Sequence, residues 1–355
     1  MAKKLNCSFF GVMTHFTKYL KTQLKGHKIT VVSKILDLEK IDKKTEVLGV
    51  FVDSKIDKEV IQNLPNLKLI VTMSTGFDHI DLAEARKRKI PVCNVPTYGE
   101  NTVAEHTISL MLALSRQLFP SIKRVKEGVY DYHGLRGFDI KGKTIGIIGT
   151  GHIGQHVIKR LAGFEAEIIA YDPFPKKELE TEFNFRYVKN LDELLKKSDI
   201  ITLHVPLFPE TYHLINKKNI KKVKKGSYLI NTARGGLVDP EALVWGLESG
   251  RITGAGLDVL EDEEIEQNPA NIFYSETGER GGLSLDMIKD EKVIKNSLLN
   301  NILIDHPNTI VTPHNAFNST EAIERIINTT AENIRSFASG KIINNVAEKK
   351  IRVKI

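Results

Sequence analysis

The sequence predicts an α/β protein built on two doubly wound parallel sheets, and three observations predict it. Short apolar, β-branched runs alternate with amphipathic stretches along most of the chain; that rhythm belongs to buried parallel strands with helices on both faces. A Gly-x-Gly-x-x-Gly spacing at 149–154 lies between one such run and a helical segment. The length of 355 residues suits two domains, because single cores stop growing at roughly 250–300 residues.

In chain order, strands are expected at 6–10, 29–32, 47–52, 67–72 and 91–94, with amphipathic helices among them at 57–64 and 81–89. Apolar residues and good helix formers at 105–118 predict one long helix leading to a second series. That series places strands at 144–148, 167–171, 200–204, 227–231, 254–258 and 309–312. A helix from Pro240 is clearly punctuated: Asp239 can cap it, Pro240 suits its first turn and Gly250 can end it. Residues 262–305 break the rhythm with an acidic run, Asn268-Pro269 and Gly278-Glu279-Arg280-Gly281-Gly282, and read as an irregular insertion. A last amphipathic helix is expected at 319–339. The second sheet is complete by Pro313, so this helix is free to return to the first domain. The expected division is 1–98 with 318–355 as one domain and 99–317 as the other.

Composition narrows the function classes. No apolar run approaches the ~20 residues that span a bilayer, and Asn6 and Ser8 interrupt the first apolar run, which therefore reads as a strand rather than a signal peptide. Two cysteines, Cys7 and Cys93, exclude a disulfide framework, lack metal-site spacing and point to a reducing cytoplasm. The net charge of +7 comes from scattered residues such as Arg86-Lys87-Arg88-Lys89, mixed with acids. This reads as a solvated Lys-rich surface, not a nucleic-acid patch; its weaker functional reading is steering of anionic ligands.

The glycine motif carries the first chemistry. Ile145-Gly146-Ile147-Ile148 runs into Gly149-Thr150-Gly151-His152-Ile153-Gly154. Gly149 permits the tight turn, Gly151 lets a pyrophosphate approach the backbone and Gly154 lets the helix pack on the strand. Phosphate charge then meets unpaired N–H groups at the helix N-terminus. Asp172 ends the next strand, 18 residues after Gly154. A carboxylate there accepts from the ribose hydroxyls of NAD and repels the 2′-phosphate of NADP. The alternatives are a non-nucleotide α/β turn or S-adenosylmethionine on the same fold.

Hydride transfer to a keto acid needs a cation for the carboxylate and an acid for the forming alkoxide. Arginine suits the first through its bidentate fork, histidine the second through its near-neutral pKa. Arg234 and His314 each follow a strand at its carboxyl end, where doubly wound folds bind ligands. Taken alone, either could be an ordinary loop residue.

Three segments together resemble the D-isomer-specific 2-hydroxyacid dehydrogenases: Asn231-Thr232-Ala233-Arg234-Gly235-Gly236, Gly256-Leu257-Asp258-Val259-Leu260-Glu261-Asp262-Glu263 and Thr312-Pro313-His314-Asn315-Ala316-Phe317. Gly76-Phe77-Asp78-His79-Ile80-Asp81-Leu82, Val103-Ala104-Glu105-His106-Thr107 and Leu203-His204-Val205-Pro206-Leu207 resemble three more of its segments. The resemblance implies a Rossmann cofactor domain inserted in a flavodoxin-like substrate domain, and a homodimer formed through the 105–118 helix. It implies that Arg234 binds the substrate, that His314 is the general acid and base, and that Glu263 pairs with His314. Ser74, Thr75 and Gly76 would bind the carboxylate. Gly149, Gly151, His152, Ile153, Gly154, Asp172, His204, Val205, Pro206, Thr232, Ala233 and Asp258 would hold NAD.

Tyr98 resembles the substrate-facing tyrosine of the D-lactate dehydrogenase branch, while Phe317 stands where that branch often has tyrosine. Glu263 disfavours a formate dehydrogenase, which has glutamine there, and a chain ending soon after its last helix disfavours a phosphoglycerate dehydrogenase with a regulatory extension. The substrate expected first is pyruvate/D-lactate, with other D-2-hydroxy acids or glyoxylate and hydroxypyruvate next. A corepressor-like NAD-sensing module is the reading from another class, and no low-complexity arm supports it.

Overall fold

The structure, a computed structural model, describes residues 4–52, 54–263 and 291–348. The chain divides into two compact units, Met1–Tyr98 with Asn318–Val353, and Gly99–Phe317.

The first unit holds strands β1 (Asn6–Phe10), β2 (Lys28–Val32), β3 (Val47–Val50), β4 (Leu69–Thr72) and β5 (Val92–Cys93), all parallel, in the order β2-β1-β3-β4-β5. Every residue of β3 and β4 is buried, which is why these strands are apolar but for Thr72: both sheet faces are covered. Helices α1 (Thr17–Gln23), α2 (Lys58–Asn63) and α3 (Leu82–Lys87) lie between them. The two expected at 57–64 and 81–89 begin one residue later, because Asp57 and Asp81 are their caps, accepting from Val60 N–H and Glu84 N–H.

In the second unit the helix expected at 105–118 is instead α4 (Glu100–Ser115), followed by α5 (Leu118–Lys126). Its first turn is polar, so apolar periodicity misses it, and Gln117 in the left-handed region (φ 51°) separates the two helices. The sheet comprises β6 (Thr144–Ile148), β7 (Glu167–Tyr171), β8 (Arg186–Tyr187), β9 (Ile200–Leu203), β10 (Ser227–Asn231), β11 (Ile252–Leu257) and β12 (Thr309–Val311). All pair in parallel, in the order β12-β11-β10-β9-β6-β7-β8. The order reverses between β6 and β9, so the carboxyl ends of these strands open a crevice. Helices α6 (His152–Leu161), α7 (Glu178–Phe183), α8 (Leu191–Lys197) and α9 (Pro240–Glu248) complete the crossovers. Asp239 caps α9 and Gly250, at φ 64°, follows its end, as their chemistry requires.

Of the stretch expected to be an irregular insertion, 264–290 lies outside the described residues, and Glu291–Asp305 is a helix, α10. The periodicity misled because α10 buries Asn296, Ser297 and Asn300 beside Leu303 and exposes Ile294, Leu298 and Ile302. The last helix, α11 (Thr320–Ala338), capped by Ser319, packs on α1 and β4 of the first unit. Beyond it, Val346 N–H bonds the Val92 carbonyl and Asn333 donates to that of Asn94. Among the described residues no helix is long and apolar enough to cross a membrane.

Candidate active site

The glycine turn leaves β6 with Gly149 at φ +94°, a conformation that excludes most side chains. A Cβ on Gly154 would come within 2.1 Å of the Gly149 carbonyl oxygen, so α6 sits directly on the turn, whereas a Cβ on Gly151 would stand in open space. His152 is exposed there and Ile153 packs against the apolar core. From the end of β7, Asp172 reaches back to accept from Thr150 N–H at 2.8 Å and the Thr150 hydroxyl at 3.0 Å. At the end of β9, His204 bonds Thr202 through Nε2 at 2.9 Å, and burial pushes its pKa down to about 3, leaving a neutral ring. Its buried Nδ1 meets no partner among the described residues. An open backbone turn, a carboxylate at the neighbouring strand end and an orphaned polar atom on the loop leading to Val205 and Pro206 fit a dinucleotide.

A second cluster forms where β10, β11 and β12 end. The Asn231 side chain accepts from Ala233 N–H and donates to the Arg234 carbonyl, closing the 231–234 loop. The Thr232 hydroxyl is tied to Thr107 of α4 at 2.8 Å. A Cβ on Gly235 would lie 2.0 Å from the Leu260 carbonyl carbon. Only glycine lets the Arg234 loop press directly on the turn that follows β11.

That turn carries Glu263. Its Oε2 accepts from Leu260 N–H at 3.0 Å and its Oε1 pairs with His314 Nδ1. His314 occupies the left-handed region (φ 49°), with its N–H held by the Asp258 carbonyl at 2.8 Å. Such a conformation persists where surrounding contacts over-determine it, and Asp258 provides them. Its carboxylate, 1% exposed, accepts from the Thr312 hydroxyl at 2.5 Å, Asn315 N–H at 3.0 Å and Ala316 N–H at 2.9 Å. Asp258, which the resemblance assigns to the cofactor, is also the hub of the His314 loop. Phe317 meets His314 edge-to-face, ring centres 6.5 Å apart.

Opposed effects set the charge on His314. Burial disfavours the imidazolium, and so does the Arg234 cation. The hydrogen bond and charge of Glu263, with Asp258 behind it, outweigh them and raise the pKa above its ordinary 6.5. The net effect favours the protonated ring.

Ser74, Thr75, Gly76 and Tyr98 belong to the other unit. The Ser74 hydroxyl bonds the Gly76 carbonyl at 2.6 Å, Thr75 bonds the Val95 carbonyl at 2.9 Å, and the Tyr98 carbonyl accepts from Arg325 at 2.7 Å. Sequence reasoning missed two groups. His106 of α4 lies 3.1 Å from the Thr312 hydroxyl and 3.4 Å from Asp258; its place in the family-like segment 103–107 was its signal. Tyr212 and His213 both bond the Glu261 carboxylate, a pairing with no local signature.

Comparison with known proteins matches this geometry. The sequence model described as "D-isomer specific 2-hydroxyacid dehydrogenase, NAD binding domain" covers residues 108–316. A "2-hydroxyacid dehydrogenase homolog 1" of Schizosaccharomyces pombe is 40% identical over 309 residues, 84% of this chain and 87% of that one. A glyoxylate reductase of Thermofilum pendens is 46% identical over 235 residues, 65% of this chain and 69% of its own. The D-lactate dehydrogenase of Aquifex aeolicus, solved with NAD and lactic acid, superposes with a TM-score of 0.81 at 34% identity, covering 94% of this chain and 96% of that one. With the glycine turn, the His314–Glu263 cluster and these relatives all in agreement, the chain belongs to the D-isomer-specific 2-hydroxyacid dehydrogenases, and its cofactor is NAD.

Proposed function

We propose that the protein reduces a small 2-keto acid to the D-2-hydroxy acid and catalyses the reverse, with pyruvate and D-lactate as the first pair. The observation that carries this reading is the His314–Glu263 pair, in which the carboxylate raises the imidazole pKa against the Arg234 cation. Bound NAD(H) supplies or accepts the hydride. Arg234 holds the substrate carboxylate and carbonyl oxygen through its bidentate fork. Glu263 occupies Nδ1, so the proton that moves is the one on Nε2 of His314: given to the alkoxide in reduction, taken from the hydroxyl in oxidation. Gly149, Gly151, Gly154 and Asp172 hold the cofactor. In the first unit, which we assign as the substrate domain, Ser74–Gly76 and Tyr98 bind the acid.

Likeness to the A. aeolicus enzyme over nearly the whole chain favours pyruvate. The T. pendens glyoxylate reductase favours a second reading, glyoxylate or hydroxypyruvate, over a shorter span. NADH oxidation with these three keto acids, followed by chiral analysis of the product, separates the readings; no turnover of any of them overturns both.

We also infer a homodimer. The contact expected on the 105–118 stretch would extend into α5: α4 packs on α6, β10 and β11 of its own unit, while Leu118, Phe119, Ile122 and Val125 of α5 are exposed. A reducing cytoplasm suits the two buried free cysteines.

A further inference from the structure

A helix on a protein surface ordinarily turns its apolar stripe inward; α10 does so only in part, burying Leu303 in the core of its unit. Ile294, Leu298 and Ile302, four apart, face outward, while Asn296 and Asn300 are 5% and 1% exposed. Burying a side-chain amide is unfavourable unless its hydrogen bonds are made. Asn296 Nδ2 donates to Asp262 Oδ2 at 2.8 Å, and Asn300 Nδ2 donates to the Glu261 carbonyl at 2.8 Å. The other end of Asn300, Oδ1, is buried with no partner among the described residues. What the buried amides grip is the turn bearing Glu263, and Asp262 within it stands in the left-handed region (φ 55°), which persists only where contacts hold it.

We propose that α10 is a positioning element for the acid–base pair: Asn296 and Asn300 lock the 260–263 turn in the conformation that presents Glu263 to His314. The proposal rests on reading Glu263 as the partner of His314. Neighbouring contacts brace the same parts. The Glu261 carboxylate is bonded by Tyr212 and by His213 at 2.7 Å, with Lys292 of α10 at 3.5 Å. Glu241 of α9 bridges Lys217 and Lys295, fixing the helix to the unit. Asp258 and Arg234 are the charged groups beside His314 itself, and His106 faces Asp258.

The test is a pH–rate profile of full-length enzyme with NADH and the best used of pyruvate, glyoxylate and hydroxypyruvate. Asn296→Ala with Asn300→Ala is expected to lower kcat about ten- to a hundredfold and to move the alkaline limb toward acid, as Glu263→Gln does, with NADH affinity kept within about twofold. In a Glu263→Gln background the same pair should cost nothing further, because its effect passes through that carboxylate. An equal loss in both backgrounds, or an unshifted limb, overturns the proposal and leaves α10 purely structural. Should the double variant not fold, the exposed Asp262 serves instead: Asp262→Ala should reproduce the shift and Asp262→Asn, which keeps an acceptor and tolerates the left-handed region, should restore the wild-type limb. Equal behaviour of those two also overturns the proposal. If Glu263→Gln itself leaves the limb in place, the role of Glu263 fails and the proposal with it; if only the asparagine and aspartate variants do, the proposal fails alone.

Discussion

At the scale of the residue, the sign of each effect on His314 makes a prediction. Keto-acid reduction needs the protonated ring, so its rate falls as pH rises through a pKa lifted above 6.5. Glu263→Gln keeps the shape and removes both raising contributions of that carboxylate. Burial and Arg234 then dominate, and the limb should move below 6.5, while oxidation, which needs the neutral ring, should extend to lower pH. The kcat/KM profiles in both directions check this, and an unmoved limb removes Glu263 from the mechanism. Replacing His314 with Gln should cost about 10²–10⁴ in turnover without loosening NADH, measured by fluorescence quenching, since the glycine turn is untouched. Asp172 predicts cofactor choice: its carboxylate repels a 2′-phosphate, so NADH should be strongly preferred over NADPH and Asp172→Ser should narrow the ratio of kcat/KM values. Because Asp172 also holds Thr150, that variant should raise the KM for NADH as well. Equal use of both cofactors by the wild-type enzyme would rule out the ribose assignment.

At the scale of the element, caps and glycines were legible because their chemistry is local. Asp239 accepts from Glu241 N–H at 3.0 Å, and Asp239→Ala should cost about 1 kcal/mol in denaturant unfolding. Helix α10 was illegible because three of its four buried residues are polar, and the partners of Asn296 and Asn300 lie on the distant 260–263 turn. The boundary between α4 and α5 was illegible because one residue, Gln117, adopts φ 51° without a glycine to announce it. The apolar side chains of α5 predict assembly: Phe119→Asp with Ile122→Asp should shift the light-scattering mass toward the monomer. A wild-type monomer in dilute solution would overturn the dimer.

At the scale of the whole molecule, the cofactor is expected to stabilise the native chain by mass action, by about 2.7 kcal/mol at a hundredfold excess over Kd. A rise in Tm with NADH, absent in a Gly154→Val variant whose side chain would collide with the Gly149 carbonyl, is the check; an equal rise in both would detach cofactor binding from the glycine turn. By itself the sequence determined the two parallel series, the glycine turn, and Arg234 and His314 at strand ends, because β-branched runs, glycine spacing and caps act through nearest neighbours along the chain. The resemblance to a known family added Glu263. Only the tertiary structure decided what surrounds them: the Gly235 contact that presses the Arg234 loop on the Leu260 peptide, the Asp258 hub that holds His314 at φ 49°, and the α10 amides on the Glu263 turn. Each joins residues tens of positions or more apart, and a hydrogen bond or a 2 Å approach between such residues leaves no periodicity in the chain to read.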